Sequence, residues 1–161
     1  MAKIVALDIS GNFNEGKGTT GVAVKDTDLN MTMLLEVKAT DFESDIRYWQ
    51  GVAHTAIDFM PDHIVIEHYV LYNHKALQQS YSELETSQLL GAIRYACLVH
   101  DIPVTLQRAS EAKGRFPDRV LQAKGHLDTD NKFAGLKTNP HKRDALRHLL
   151  YFEKYNLPKG E

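Results

Sequence analysis

Cysteine is nearly absent from this chain: Cys97 is the single one in 161 residues, which excludes an internal disulfide framework and a cysteine-rich zinc site. Set among Ala92, Ile93, Ala96 and Leu98, it reads as a buried helical thiol rather than a nucleophile. No apolar run approaches the roughly 20 residues needed to cross a bilayer, and the opening Met1-Ala2-Lys3 lacks a signal-peptide pattern. A soluble protein of the cytoplasm with no membrane partner is expected. Repeats and low-complexity tracts are missing as well. What is present is a 43% hydrophobic composition, enough to bury one core, so a single domain over residues 1–161 is expected.

A net charge of only −2 does not mark a nucleic-acid binder until the charges are located. Residues 1–106 hold 7 Lys and Arg against 14 Asp and Glu, whereas residues 107–161 hold 12 against 7. Such asymmetry fits a basic nucleic-acid face on an otherwise acidic molecule. Lys113, Arg115, Arg119 and Lys124 are the candidate phosphate contacts, with Lys142 and Arg143 nearer the candidate centre.

Residues 3–8 are apolar on both faces and end in Asp8, the pattern of a central strand. After a polar, glycine-bearing stretch, Thr20 to Val24 reads as a second strand and Met31 to Val37 as a third, joined by Asp26, Asp28 and Asn30 in an antiparallel meander. Thr40 and Glu43 have capping-box spacing, and Phe42, Ile46, Trp49, Ala53, Ile57 and Met60 recur at helical intervals until Pro61. Ile64 to Ile66 repeats the doubly apolar strand pattern and ends in Glu67. Ser82 and Glu85 open a helix predicted to run to about His100, in which Gly91 costs on the order of 1 kcal/mol relative to alanine, a cost suited to close helix or subunit contact. Val104 to Leu106 gives a fifth strand. From Arg108 to Thr138 apolar residues are few, and a short helix with a mobile loop is expected rather than core. Asn139 and Pro140 then cap a final helix with Ala145, Leu149 and Phe152 on one stripe.

A right-handed crossover from the meander through the first helix makes the fourth strand parallel to the first. Asp8 and Glu67 then share the sheet edge where open α/β sheets place ligands. Two carboxylates there repel unless a cation neutralises them. His141 and Asp144, three residues apart, project from one face of the last helix and can meet that edge. Oxygen-rich ligation with at most one imidazole suits Mg²⁺, or Mn²⁺ in its place. Two such ions roughly 4 Å apart activate water and stabilise a leaving oxygen in phosphodiester cleavage. Asp8 is the candidate bridging ligand and Glu67 and Asp144 flank it. His141 completes a metal shell or orients the attacking water or leaving group.

These residues resemble the RuvC-type Holliday junction resolvases, and more closely their phage-encoded relatives, in the RNase H-like superfamily. The carriers are Leu7-Asp8-Ile9, Gly18-Thr19-Thr20-Gly21, Val65-Ile66-Glu67, Gln88-Leu89-Leu90-Gly91-Ala92-Ile93 and His141-Lys142-Arg143-Asp144-Ala145, spread over almost the whole chain. The resemblance implies an RNase H-like α/β fold with a five-stranded mixed sheet in the order 3-2-1-4-5 flanked by helices. It also implies a catalytic quartet of Asp8, Glu67, His141 and Asp144, and a homodimer that cuts a four-way DNA junction with no nucleotide cofactor. Where cellular resolvases are expected to carry phenylalanines that probe the junction centre, this chain has Tyr69 and Tyr72, whose rings can stack on an unpaired base.

Three other readings stay open. The same metal chemistry suits an RNA:DNA hybrid or other structured nucleic acid. Asp8 with Gly18-Thr19-Thr20-Gly21 is also similar to the phosphate loop of sugar-kinase and actin-like ATPases, although those normally enclose a nucleotide between two such domains. An inactive DNA-binding module would not need all four candidate ligands.

Overall fold

The computed structural model describes residues 2–14, 17–70 and 84–157. Strands β1 (Lys3–Asp8), β2 (Thr19–Asp26), β3 (Met31–Lys38), β4 (His63–Glu67) and β5 (Val104–Gln107) form one sheet in the order β3-β2-β1-β4-β5. β2 is antiparallel to β1 and β3, while β1, β4 and β5 are mutually parallel. This is the mixed sheet expected.

The doubly apolar reading of β1 and β4 has a direct cause: each face of the sheet is covered. Val5, Leu7, Ile64 and Ile66 face a core shared with α1 (Asp45–Asp58) and α2 (Glu85–Val99). Ile4, Ala6 and Val65 face a second core against α5 (Pro140–Tyr155), which supplies Ala145, Leu146, Leu149 and Phe152. Alternation of side chains across a strand assigns one set to each core. Cys97 is buried in the first, and burial pushes its thiol pKa up. Among the described residues no helix is long and apolar enough to cross a membrane.

Two boundaries differ from expectation. The first helix starts at Asp45, capped by Ser44, whose hydroxyl accepts from the Arg47 N–H at 3.3 Å. Thr40 falls instead in a 3₁₀ turn, Ala39–Asp41, because Ala39 is buried and its N–H is engaged by the Gly18 carbonyl at 2.8 Å. α2 is entered through Leu84 in the left-handed region (φ 52°), while Ser82 of the expected box lies outside the described residues.

Residues 108–138 are also more built than the sparse apolar content implied. α3 (Ala109–Arg115), α4 (Asp118–Ala123) and a hairpin of β6 (Lys132–Phe133) with β7 (Leu136–Lys137) occupy them. Ala112, Phe116, Leu121 and Leu127 are all buried, the last three within the second core. Short helices need only one or two apolar anchors each, which a search for sustained periodicity overlooks.

α5 crosses the sheet unusually closely. A Cβ built at Gly21 in β2 would lie 2.1 Å from the His141 carbonyl oxygen and 2.9 Å from the Lys142 nitrogen. The missing side chain lets the first turn of α5 rest on the strand backbone. At Gly91 no close helix contact is found: apart from its own helix, no described residue comes within 4 Å of a Cβ built there.

Candidate active site

Asp8 and Glu67 are the last residues of adjacent parallel strands, one position beyond the Leu7–Ile66 pair. Asp144 comes from the second turn of α5. Asn139 caps that helix by accepting from the Lys142 N–H at 2.9 Å, and Pro140 occupies its first position, where a missing N–H costs nothing. The three acids each offer a carboxylate oxygen, and these atoms lie within 4.8 Å of one another.

Asp8 and Asp144 are buried (7% and 9% exposed). Burial holds the Asp8 pKa above its ordinary value against an opposing hydrogen bond from His141, and the charges of Glu67 and Asp144 push in the same direction as burial. Three carboxylates converging on one point form an oxygen donor set of the kind a hard divalent cation takes.

Each acid has its own partner within the chain. His141 Nδ1 lies 3.0 Å from Asp8 Oδ2. That hydrogen bond, working against burial, raises the His141 pKa, assisted by the charges of Asp8, Asp144 and Glu36. Its side chain is 41% exposed, hence reachable from solvent. Glu67 Oε2 lies 2.9 Å from His148 Nε2, and His148 Nδ1 lies 2.9 Å from Gln107 Oε1. Asp144 takes one cation on each oxygen: Lys113 Nζ at 2.9 Å on Oδ2 and the Arg147 guanidinium on Oδ1. Burial disfavours the Lys113 charge, yet its bond to Asp144 and the fields of Asp144, Glu67 and Asp8 raise its pKa overall. Arg147 also donates to Asp118 and, through Nε, to the Phe116 carbonyl at 2.8 Å, tying α5 to both short helices.

The structure thus brings Asp8, Glu67, His141, Asp144 and Lys113 together. Lys113, expected at a phosphate, sits on Asp144. Arg115, Arg119 and Lys124 are exposed and line a separate pocket of about 260 Å³ with Phe116 and Lys154. Lys154 is ten residues beyond Asp144, roughly 15 Å along the helix axis. Lys142 and Arg143 are half-buried on the first turns of α5, with Arg143 Nη1 donating to Thr138 Oγ1 at 3.1 Å. Tyr69 is half-buried just past β4; Tyr72 lies outside the described residues.

Sequence reasoning missed His148, Arg147 and Gln107. A signal existed for all three. His148 and Arg147 continue the α5 stripe at four and three residues past Asp144, and Gln107 ends β5 as the register partner of Glu67.

No protein-family model matches the sequence, and no curated protein sequence does. Solved structures do match in shape. RuvC of Thermus thermophilus in complex with a Holliday junction substrate superposes with a TM-score of 0.66 at 17% identity, covering 96% of this chain and 94% of that one. Another Thermus thermophilus RuvC structure gives 0.63 at 16% identity, over 95% and 94%. The Holliday junction resolvase of fowlpox virus gives 0.54 at 13% identity, over 96% and 99%. The chain has the RNase H-like fold of these proteins.

Proposed function

We propose that this protein is a divalent-cation-dependent endonuclease that cleaves branched DNA of the four-way-junction type. The observation that carries the reading is the convergence of Asp8, Glu67 and Asp144 from three separate elements, with their oxygens within 4.8 Å. Sharing a fold over nearly full length with a RuvC bound to a Holliday junction favours branched DNA as the substrate.

Asp8, Glu67 and Asp144 would hold Mg²⁺, with Mn²⁺ as a substitute and two ions as the expected complement, and His141 stands beside Asp8 as a possible fourth donor. A bound cation of this kind supplies charge neutralisation at the phosphate and a lowered pKa for attacking water. The chain's own groups do the rest. His141, whose bond to Asp8 raises its pKa and whose ring is exposed, can hold a proton beside Asp8. Lys113 places a second positive charge at the cluster. The basic pocket of Arg115, Arg119, Lys124 and Lys154 can take the backbone of a DNA arm leaving the centre, and half-buried Tyr69 offers a ring to an unpaired base. Paired cuts across a junction call for two copies related by a two-fold axis, so a homodimer is part of the proposal.

The test compares purified protein on a synthetic four-way junction, linear duplex, flap and RNA:DNA hybrid with Mg²⁺, Mn²⁺ or EDTA. Cleavage concentrated on the junction and lost in EDTA and in Glu67→Gln or Asp8→Asn is expected. Equal cleavage of all four substrates removes the junction assignment, and full activity in either variant removes that residue from the mechanism.

A further inference from the structure

We propose that His148, seated on Gln107, is the positioning residue of Glu67. The inference rests on the cation-binding reading of the acid cluster and deepens it. His148 is fully buried (0% exposed), while the Glu67 side chain it meets is 23% exposed. Both ring nitrogens are engaged, Nε2 on Glu67 Oε2 and Nδ1 on Gln107 Oε1, each at 2.9 Å. It has no nitrogen left to offer a cation, in contrast to half-exposed His141.

The direction of these bonds follows from chemistry. An imidazole carrying its one proton on Nδ1 would turn a bare Nε2 lone pair toward a carboxylate, a repulsive contact, so the bond to Glu67 requires a proton on Nε2. Turning the Gln107 amide end for end reverses the chain. The amide N–H then donates to Nδ1, and Nε2–H donates to Glu67. The buried Gln107 amide has a hydrogen-bond partner at one of its two terminal atoms among the described residues, and the turn gives that partner to the nitrogen. Oxygen and nitrogen of a glutamine amide are assigned from their hydrogen bonds, which makes this the consistent choice.

The backbone prepares the arrangement. Gln107 is the β5 register partner of Glu67, and the Gln107 carbonyl accepts from the His68 N–H at 2.7 Å. Two strand ends and one buried helix position thereby hold one Glu67 oxygen with the Nε2–H donor, leaving its second oxygen for a cation. This is the role that outer-sphere donors play for ligating carboxylates.

The test is Mn²⁺ affinity of the nucleic-acid-free protein, by calorimetry or electron paramagnetic resonance. His148→Leu is expected to weaken binding about 10- to 100-fold, and His148→Gln, which keeps a donor near the Nε2 position, to recover most of it. Gln107→Leu should weaken binding in the same direction. Long-range nitrogen–proton correlation NMR of the wild-type protein should show the His148 proton on Nε2, a readout no purely space-filling role predicts and one available even if His148→Leu fails to fold. A folded His148→Leu with wild-type affinity, or a proton on Nδ1 alone, overturns the assignment. Absence of Mn²⁺ binding by the wild-type protein overturns the cation reading itself, and the assignment with it.

Discussion

Replacing Gly21, the cross-strand neighbour of Asp8, by alanine should damage the candidate centre by displacing α5. The new Cβ would meet the His141 carbonyl at 2.1 Å, whereas an ordinary contact needs at least 3.4 Å, so the first turn of α5 must retreat by about 1.3 Å. The obstacle is backbone on both sides and no rotamer change relieves it. Overpacking of this kind costs about 1–3 kcal/mol, which for a domain of this size lowers the melting temperature by roughly 2–12 °C. The same retreat carries His141 away from Asp8, where it now sits at 3.0 Å, beyond hydrogen-bond range, and shifts Asp144 with it. Misplacement by about 1 Å costs on the order of 10²-fold in rate. The assay pairs thermal melting with junction cleavage. Gly91→Ala is the control, since a Cβ there meets nothing among the described residues and should gain up to about 1 kcal/mol from helix propensity. A Gly21→Ala protein that melts and cleaves like wild type would refute the argument. One that is destabilised yet fully active would show that α5 reseats without moving its side chains.

Two other expectations follow from buried polar groups. Arg147→Met removes the donor shared by Asp144, Asp118 and the Phe116 carbonyl. Breaking a buried ion pair costs about 3–5 kcal/mol, and the low end is expected because Lys113 stays on Asp144; denaturant unfolding that finds a loss under about 1 kcal/mol would contradict it. His63 is held below its ordinary pKa by burial, with Nε2 2.8 Å from Thr105 Oγ1 and its ring 4.5 Å from that of Phe152. Its unfolded form binds a proton at higher pH than its folded form, so the stability it supports is complete above the unfolded value and falls as pH drops through it. Melting temperatures between about pH 7.5 and about pH 5.5 should therefore decline less for His63→Phe than for wild type, and parallel profiles would count against this.

Much of the fold was legible because burial on both faces leaves a plain mark. The runs ending in Asp8 and Glu67 have no polar face to hide, so their place in the middle of the sheet, and the meeting of their acids, could be read directly. His141 and Asp144 were legible through helical spacing behind an Asn-Pro start. His148 and Arg147 were not, because histidine and arginine on a basic helix look like surface residues until a partner acid is placed opposite them. Gln107 signals only through its register opposite Glu67, which shows once β4 and β5 are paired. The start of α1 was misread because Thr40 and Ser44 are both competent caps, and only the buried Ala39, bonded to Gly18, decides between them.

α5 carries part of the candidate site and its share of the second core on one uninterrupted set of turns. Asp144, Arg147 and His148 alternate with Ala145, Leu146 and Leu149, all of them buried. A cleft formed by surface loops can open and close locally at low free energy, but this one has no such freedom on its helical side. Fraying the turns that present Asp144 would expose the second core at the same moment, so that side of the site and the domain open as one cooperative unit. Whatever motion would admit the proposed branched substrate must come from elements other than this helix.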